Sequence, residues 1–305
     1  MVAVFKKLLK RGVPLFIVKL LAYWYSNQNM CVQWGNSVST KFQVTNGVKQ
    51  GGVLSPKLFN VYTNDLSVIL NNTHVGGKIG CRKLNHLFYA DDVCLISLSS
   101  AGMQKLLDLC QNYAKSHDLL FNGKKTMCMN FSPTKICAFE PDLKLNGESI
   151  QYVKQAKYLG TIISCGNSDA DVKRQMRRFY ANANVLLRKF SKCSYDIKCM
   201  LFRSFCTNLY CSQFWYHSSQ SILRKLKISY NNSLRRLLNL PKYNSASEMF
   251  VCLNIPSLGE LQRKSINGFI TRLKSTDNSI VNSLINSSLP LYSKIWSWWK
   301  SIVFI

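Results

Sequence analysis

Leu84-Asn85-His86-Leu87-Phe88-Tyr89-Ala90-Asp91-Asp92-Val93-Cys94-Leu95-Ile96-Ser97-Leu98 sets two adjacent carboxylates between two apolar runs rich in strand formers. The pattern predicts a β-hairpin with the acids at its tip. An apolar strand has no structural use for neighbouring negative charges, because each is costly to bury unless something positive meets it. A divalent cation is the natural partner. Hard ions such as Mg2+ take oxygen ligands, keep some of their waters and bridge one or two carboxylates to phosphates. Asp is also common where strands merely reverse, so Tyr89-Ala90-Asp91-Asp92 taken alone leaves an ordinary turn and a metal-binding tip both open.

Upstream, Val48-Lys49-Gln50-Gly51-Gly52-Val53-Leu54-Ser55-Pro56-Lys57-Leu58-Phe59-Asn60 joins a strand, a double-Gly turn and a Ser-Pro helix start. Followed by the Asp pair, this stretch resembles the palm of a reverse transcriptase. The likeness is closest to the non-LTR (LINE-type) retrotransposons, whose palms carry a Gln-Gly turn, then Leu-Ser-Pro, then a Tyr-Ala-Asp-Asp hairpin. Group II intron maturases share that hairpin. The Trp34-Gly35-Asn36 turn, and the Leu145-Asn146-Gly147-Glu148 hairpin ahead of Tyr158-Leu159-Gly160, favour the LINE type. RNA-dependent RNA polymerases usually have Gly in place of Tyr-Ala before the pair.

The resemblance implies RNA-directed DNA synthesis on an RNA template from a DNA primer, with deoxynucleoside triphosphates as substrates. It implies Mg2+, with Mn2+ as an alternative, held by Asp91 and Asp92. Such sites use two ions roughly 3.5–4 Å apart to hold the attacking and leaving oxygens. It further implies that Gln50 and Gly51, with Tyr89 and Ala90, meet the template and incoming nucleotide. Lys125 would lie near the leaving pyrophosphate as a proton donor, and Leu159 and Gly160 would form the primer grip. Read from residue type alone, Lys125 is one more surface base, Gly51 and Gly52 are a tight turn, and Leu159-Gly160 is a sheet edge.

Forty Lys and Arg against 14 Asp and Glu give a net charge of +26, which favours a polyanionic partner such as nucleic acid. A membrane is the weaker choice, since Val13 to Tyr25 is too short for a spanning helix and contains Lys19. Met1 to Lys10 lacks the form of a secretory signal. Twelve cysteines are scattered without a Cys-x-x-Cys pair, as expected of reduced thiols in an intracellular protein of the nucleus or cytoplasm. Cys193, Cys199, Cys206 and Cys211 match no zinc-finger spacing.

Along the chain, Pro14 to Asn27 predicts a core-facing helix with Leu15, Val18, Leu21, Ala22 and Tyr25 on one side. Met30 to Trp34 and Ser37 to Thr45 predict a hairpin across Gly35-Asn36. Ser55 as the N-cap and Pro56 at the first helical position open a helix to about Leu70, with Leu58, Phe59, Tyr62, Leu66 and Ile69 inward and Asp65 solvated or paired. Ala101 to Leu120 is a helix burying Leu106, Leu109, Cys110 and Tyr113, followed by a strand from Met127 to Phe131. Leu143 to Val153 and Lys157 to Ile163 complete the strands. Asp169 to Phe190 is a helix carrying Lys173, Arg174, Arg177, Arg178, Arg188 and Lys189. In a thumb these would meet nucleic-acid phosphates, whereas a charged helix face elsewhere is simply solvated. Helices are expected over Tyr195 to Tyr216 and Ser221 to Leu240, with Phe214, Trp215 and Tyr216 as packing residues. Two short ones are expected from Glu248 to Lys274. The apolar tail through Trp296, Trp298, Trp299 and Ile302 to Ile305 is expected to dock onto the thumb.

The expected fold is therefore α+β. Residues 1–165 form a partial palm, an antiparallel sheet with packed helices; 166–240 form an all-helical thumb-like region; 241–305 form a helical C-terminal extension. Polymerases of the resembled family hold their ions with a third aspartate on a strand before the Gln-Gly turn. Asp65 is the only acidic residue ahead of Asp91, and it lies beyond that turn on a helix. The chain is expected to start inside a palm, to lack basic fingers, and to have negligible polymerase activity by itself while keeping affinity for nucleic acid; the alternative is a non-catalytic nucleic-acid-binding remnant or domesticated protein.

Overall fold

The computed structural model describes residues 2–44, 47–131, 140–287 and 290–303. The chain divides into two compact units. The first comprises Met1–Lys78, Lys83–Phe121 and Leu143–Glu148, and the second Ile79–Arg82, Asn122–Asp142 and Ser149–Ile305.

The first unit is built on four helices, Val2–Lys10, Leu15–Ser26, Ser55–Asn71 and Ser100–Ser116. Val4 and Leu8 meet Val18, Tyr25 and Leu58 in one cluster; Leu66 and Leu70 meet Leu106, Cys110 and Tyr113 in another. Lys7 ties the two ends together. Its ammonium donates to the Tyr62 carbonyl at 2.6 Å and pairs with Asp65 at 3.0 Å, so Asp65 is the paired residue its helical position allowed. Burial pulls the Lys7 pKa down, but hydrogen bonds with Asp65 and Tyr113 outweigh that and leave it raised.

Two helix phases differ from the sequence expectation. In Ser55–Asn71 the inward stripe ends on Leu70, which is fully buried, while Ile69 faces solvent. In Leu15–Ser26 only Val18 and Tyr25 are buried, and Leu15, Phe16, Leu20, Tyr23 and Trp24 are exposed. That helix faces a cluster along one side and leaves most of its apolar surface exposed.

Strand pairing is fragmentary. Among the described residues the strands join as seven separate two-stranded ladders, where a continuous antiparallel sheet was expected. Gln33–Trp34 pairs with Ser37–Val38 across Gly35-Asn36, and Asn29–Met30 pairs with Phe42–Gln43. Thr45, the expected end of that strand, lies outside the described residues. The strand expected over Met127 to Phe131 is confined to Met127–Cys128, which runs parallel to Gln151–Tyr152.

The second unit carries the largest core. Helices Asp169–Lys189, Tyr195–Cys206, Gln220–Leu237, Ala246–Cys252 and Leu258–Lys274 bury Val172, Phe179, Phe202, Leu226, Tyr230 and Leu234 among them. Asp169 and Asp171 in the first turn and Arg188 and Lys189 in the last complement the dipole of the first of these helices. The single helix expected over Tyr195 to Tyr216 is broken. It stops at Cys206, Cys211 takes a left-handed φ of 62°, and a 3-10 turn covers Ser212–His217. Trp215 is buried as expected of a packing residue. The Trp299 indole, on the helix Pro290–Val303, donates to the Gln213 carbonyl at 2.9 Å and docks the tail. Phe304 and Ile305 lie outside the described residues.

Two cysteines of the second unit, Cys199 and Cys206, serve the core. Burial pushes the Cys206 thiol up to about 12, and Cys199 is buried beside it in the same cluster. Among the described residues no three His, Cys, Asp or Glu side chains group as metal ligands, and no helix is long and apolar enough to cross a membrane.

Candidate active site

His86–Tyr89 and Asp92–Leu95 form an antiparallel hairpin in which Tyr89 faces Asp92. The connection is the two residues Ala90 and Asp91, the shortest loop such a hairpin takes. Ala90 accordingly adopts a φ of 51°, a left-handed conformation that costs a residue with a Cβ about 1–2 kcal/mol. Phe88 and Leu95 pack against the cluster of Leu66, Leu70, Leu106 and Tyr113, which fixes the hairpin to its unit.

A buried polar group locks the hairpin's base. Asn85, 1% exposed, donates through Nδ2 to the carbonyls of Leu70 (2.6 Å) and Val75 (3.1 Å). Its Oδ1 therefore faces His86 Nδ1 at 2.7 Å, while His86 Nε2 meets Ser67 Oγ at 2.7 Å. Burial, and to a smaller extent nearby Lys83, lowers the His86 pKa and so favours the neutral ring, in which Nδ1–H donates to Asn85 and Nε2 accepts from the serine.

Asp91 and Asp92 are both exposed, and neither has a hydrogen-bond or ion-pair partner among the described residues. Tyr89 is exposed beside them. Among the described residues no counter-charge meets the two adjoining acids, and both carboxylates are open to solvent.

Gln50 is exposed on the turn before Ser55–Asn71. The two glycines of that turn have different needs. Gly51 sits at φ 78° with nothing within 4 Å of where a Cβ would be, whereas a Cβ on Gly52 would lie 2.7 Å from Ser55 Oγ. Ser55 is the first helical residue and not the cap expected of it. Its hydroxyl donates back to the Lys49 carbonyl at 2.5 Å, tying the helix to the turn.

The remaining predicted residues lie in the second unit. Lys125 is exposed in a turn organised by Asn122, whose Oδ1 accepts from the Lys125 N–H at 3.1 Å. Leu159 and Gly160 are the two loop residues between Gln155–Tyr158 and Thr161–Ser164, at φ 45° and 79°. On the helix Asp169–Lys189, Lys173, Arg177 and Arg178 are exposed. Arg174 is not equivalent to them: its Nε and Nη2 both donate to Asp171 Oδ1, at 2.9 and 2.7 Å.

Residues 4–163 match the family model described as reverse transcriptase (RNA-dependent DNA polymerase). The chain belongs to the reverse transcriptase family. It is 24% identical over 283 residues to the RNA-directed DNA polymerase from mobile element jockey of Drosophila funebris, covering 89% of this chain and 30% of that protein. It is 24% identical over 288 residues to the probable RNA-directed DNA polymerase from transposon BS of Drosophila melanogaster, covering 90% and 31%. A polyprotein of the type-1 retrotransposable element R2 of Popillia japonica is 27% identical over 163 residues, covering 50% and 26%. The chain thus spans about a third of the length of these non-LTR retrotransposon relatives.

Reverse transcriptases generally use divalent metal ions. In this chain the donor chemistry at the hairpin tip suits one hard cation that keeps part of its water, since both groups are exposed carboxylates without competing partners. It does not suit a two-ion arrangement, because no third acidic, His or Cys side chain joins them among the described residues. Sequence reading missed the residues that brace the loops of this chain, above all Asp171, Tyr210 and Asn85. Their partners are remote in sequence, and only the Asp171–Arg174 spacing carried a local signal.

Proposed function

We propose that this chain is the palm and thumb portion of a non-LTR retrotransposon reverse transcriptase, which copies an RNA template from a DNA primer with deoxynucleoside triphosphates. The observation that carries this is the pair of exposed, unpartnered carboxylates, Asp91 and Asp92, on a hairpin clamped to its unit by Phe88, Leu95 and Asn85. Asp91 and Asp92 would hold Mg2+, or Mn2+ in its place, and a bound cation would supply charge neutralisation for the phosphates. The bare backbone of Gly51 leaves room for a base or nucleotide beside Gln50, since a Cβ there would point into open space. Tyr89 offers an exposed aromatic face next to the acids, and Ala90 is small enough to leave the tip open. Lys125 donates a proton to the pyrophosphate. Leu159 and Gly160 seat the primer end, and Lys173, Arg177 and Arg178 hold backbone phosphates without reading bases. Arg174, tied to Asp171, is left out of that set.

Two carboxylates without a third position an incoming nucleotide poorly, and misplacement on the scale of 1 Å can cost about a hundredfold in rate. The 305-residue chain alone therefore binds primer–template without extending it. Primer extension on an RNA template with Mg2+ or Mn2+ tests this alongside direct binding. Binding without cDNA is expected. Robust synthesis abolished by Asp91→Ala would overturn the inactivity but keep the assignment of the pair; failure to bind primer–template would overturn the assignment itself.

A further inference from the structure

We infer that Tyr210 is the positioning residue of the Leu159-Gly160 turn, holding it in the shape that meets the primer terminus. This rests on the assignment of that turn as the primer grip.

Both loop residues are left-handed, which suits the two-residue turn of a twisted hairpin but is ordinarily met by Asn-Gly or Gly-Gly. Leucine is a poor occupant, because its Cβ crowds the backbone at φ 45°. Packing does not explain its presence, since Leu159 is 37% exposed and belongs to none of the buried clusters. Strain of this kind persists where surrounding groups over-determine it, and it gathers at ligand clamps.

Tyr210 supplies the restraint. Its hydroxyl donates to the Leu159 carbonyl at 2.9 Å, and its ring lies so close to Gly160 that a Cβ there would stand 3.2 Å from Cε1. Gly160 is thus needed twice, for its φ of 79° and to admit the ring. Tyr210 is itself held from behind: buried Gln175 donates through Nε2 to its carbonyl at 2.9 Å. On the other flank the Ile162 N–H donates to Asp171 Oδ1 at 3.0 Å. The turn is gripped on two sides by residues of one helix and the loop after the next, while its outer surface stays open.

The test is binding of the full chain to two hybrids of equal length, one with a recessed DNA 3′ end on RNA and one blunt. Tyr210→Phe keeps the ring and removes only the hydroxyl. It should weaken binding to the recessed end about fivefold, the loss of one hydrogen bond, with the blunt hybrid unchanged and the melting temperature lowered no further than the loss of one exposed hydrogen bond allows. Gly160→Ala should act in the same direction through the ring contact. Leu159→Asp reports on the underlying assignment, because Asp tolerates a left-handed φ and would repel the primer phosphate. An effect of Leu159→Asp without one of Tyr210→Phe overturns the role of Tyr210 alone; no effect of either overturns the primer-grip assignment with it. Equal weakening on both hybrids, or a melting temperature lowered as far as in Asp171→Ala, would make Tyr210 a general structural residue and also overturn the inference.

Discussion

The Trp215 indole N–H donates to Asp171 Oδ2 at 3.0 Å, and both residues are 2% exposed. The other oxygen of the same carboxylate accepts from Arg174 and from the Ile162 N–H. One buried anion therefore joins the first turn of the basic helix, the 3-10 turn and the 155–164 hairpin. Asp171→Ala leaves the Arg174 guanidinium, an indole and a backbone N–H without an acceptor, and should cost about 3–5 kcal/mol in urea unfolding. Trp215→Phe removes one hydrogen bond and should cost far less on that account, about 1 kcal/mol. A loss below about 1 kcal/mol for Asp171→Ala would show that the network is not structural.

The neutral His86 makes stability pH-dependent in a definite direction. Its folded pKa lies below the ordinary 6.5, so in the window just under 6.5 the unfolded chain binds the proton more readily. The stabilisation is present above pH 6.5 and is lost as pH falls through the folded value. Urea midpoints between pH 7.5 and pH 5 should fall more steeply for the parent chain than for His86→Gln. Parallel curves would mean that His86 titrates as it does in the unfolded chain.

Asp91 and Asp92 should behave as functional and not structural acids. Because both are exposed and unpartnered, Asp91→Asn and Asp92→Asn should shift stability by no more than about 0.5 kcal/mol while weakening Mn2+ binding, read by water-proton relaxation. In metal-free buffer Asp91→Ala should leave nucleic-acid affinity intact or slightly raised, because a negative charge near phosphate is gone. A stability loss above about 2 kcal/mol would instead mark the acids as structural.

The hairpin tip was legible in the sequence because a strand of period two has no place for two adjacent charges, and Ala90-Asp91 is where the register puts the reversal. The Asn146-Gly147 turn was legible for an equally local reason, and both residues take positive φ, 54° and 83°. What stayed hidden depends on distant partners. The break after Cys206 carries no Pro or Gly in Thr207-Asn208-Leu209-Tyr210-Cys211; it is imposed by the tertiary placement of Tyr210 and Trp215. Leu15–Ser26 reads as a helix from its own residues, but how much of its apolar surface is covered depends on what packs against it. Arg174 reads like its neighbours in sequence and differs from them because Asp171, one turn earlier, is buried and takes its guanidinium.

That distinction among the bases gives the last expectation. Lys173, Arg177 and Arg178 are solvent-exposed, and 173 and 177 are one helical turn apart, so they can neutralise phosphates of one nucleic-acid backbone. Affinity of the parent chain for single-stranded or hybrid nucleic acid should fall steeply between about 50 and 200 mM salt as counterions are released. Each phosphate contact contributes roughly 0.7–0.9 to the slope of log K against log salt, so replacing all three with Ala should flatten it by about 2–3. Arg174→Ala should leave the slope unchanged and lower the melting temperature, because its guanidinium is spent on Asp171. The reverse pattern, with Arg174 setting the slope, would mean that the pair opens when nucleic acid binds. An unchanged slope in the triple variant would move the phosphate contacts elsewhere, with exposed Arg224, Lys225 and Lys227 on Gln220–Leu237 the next set to replace.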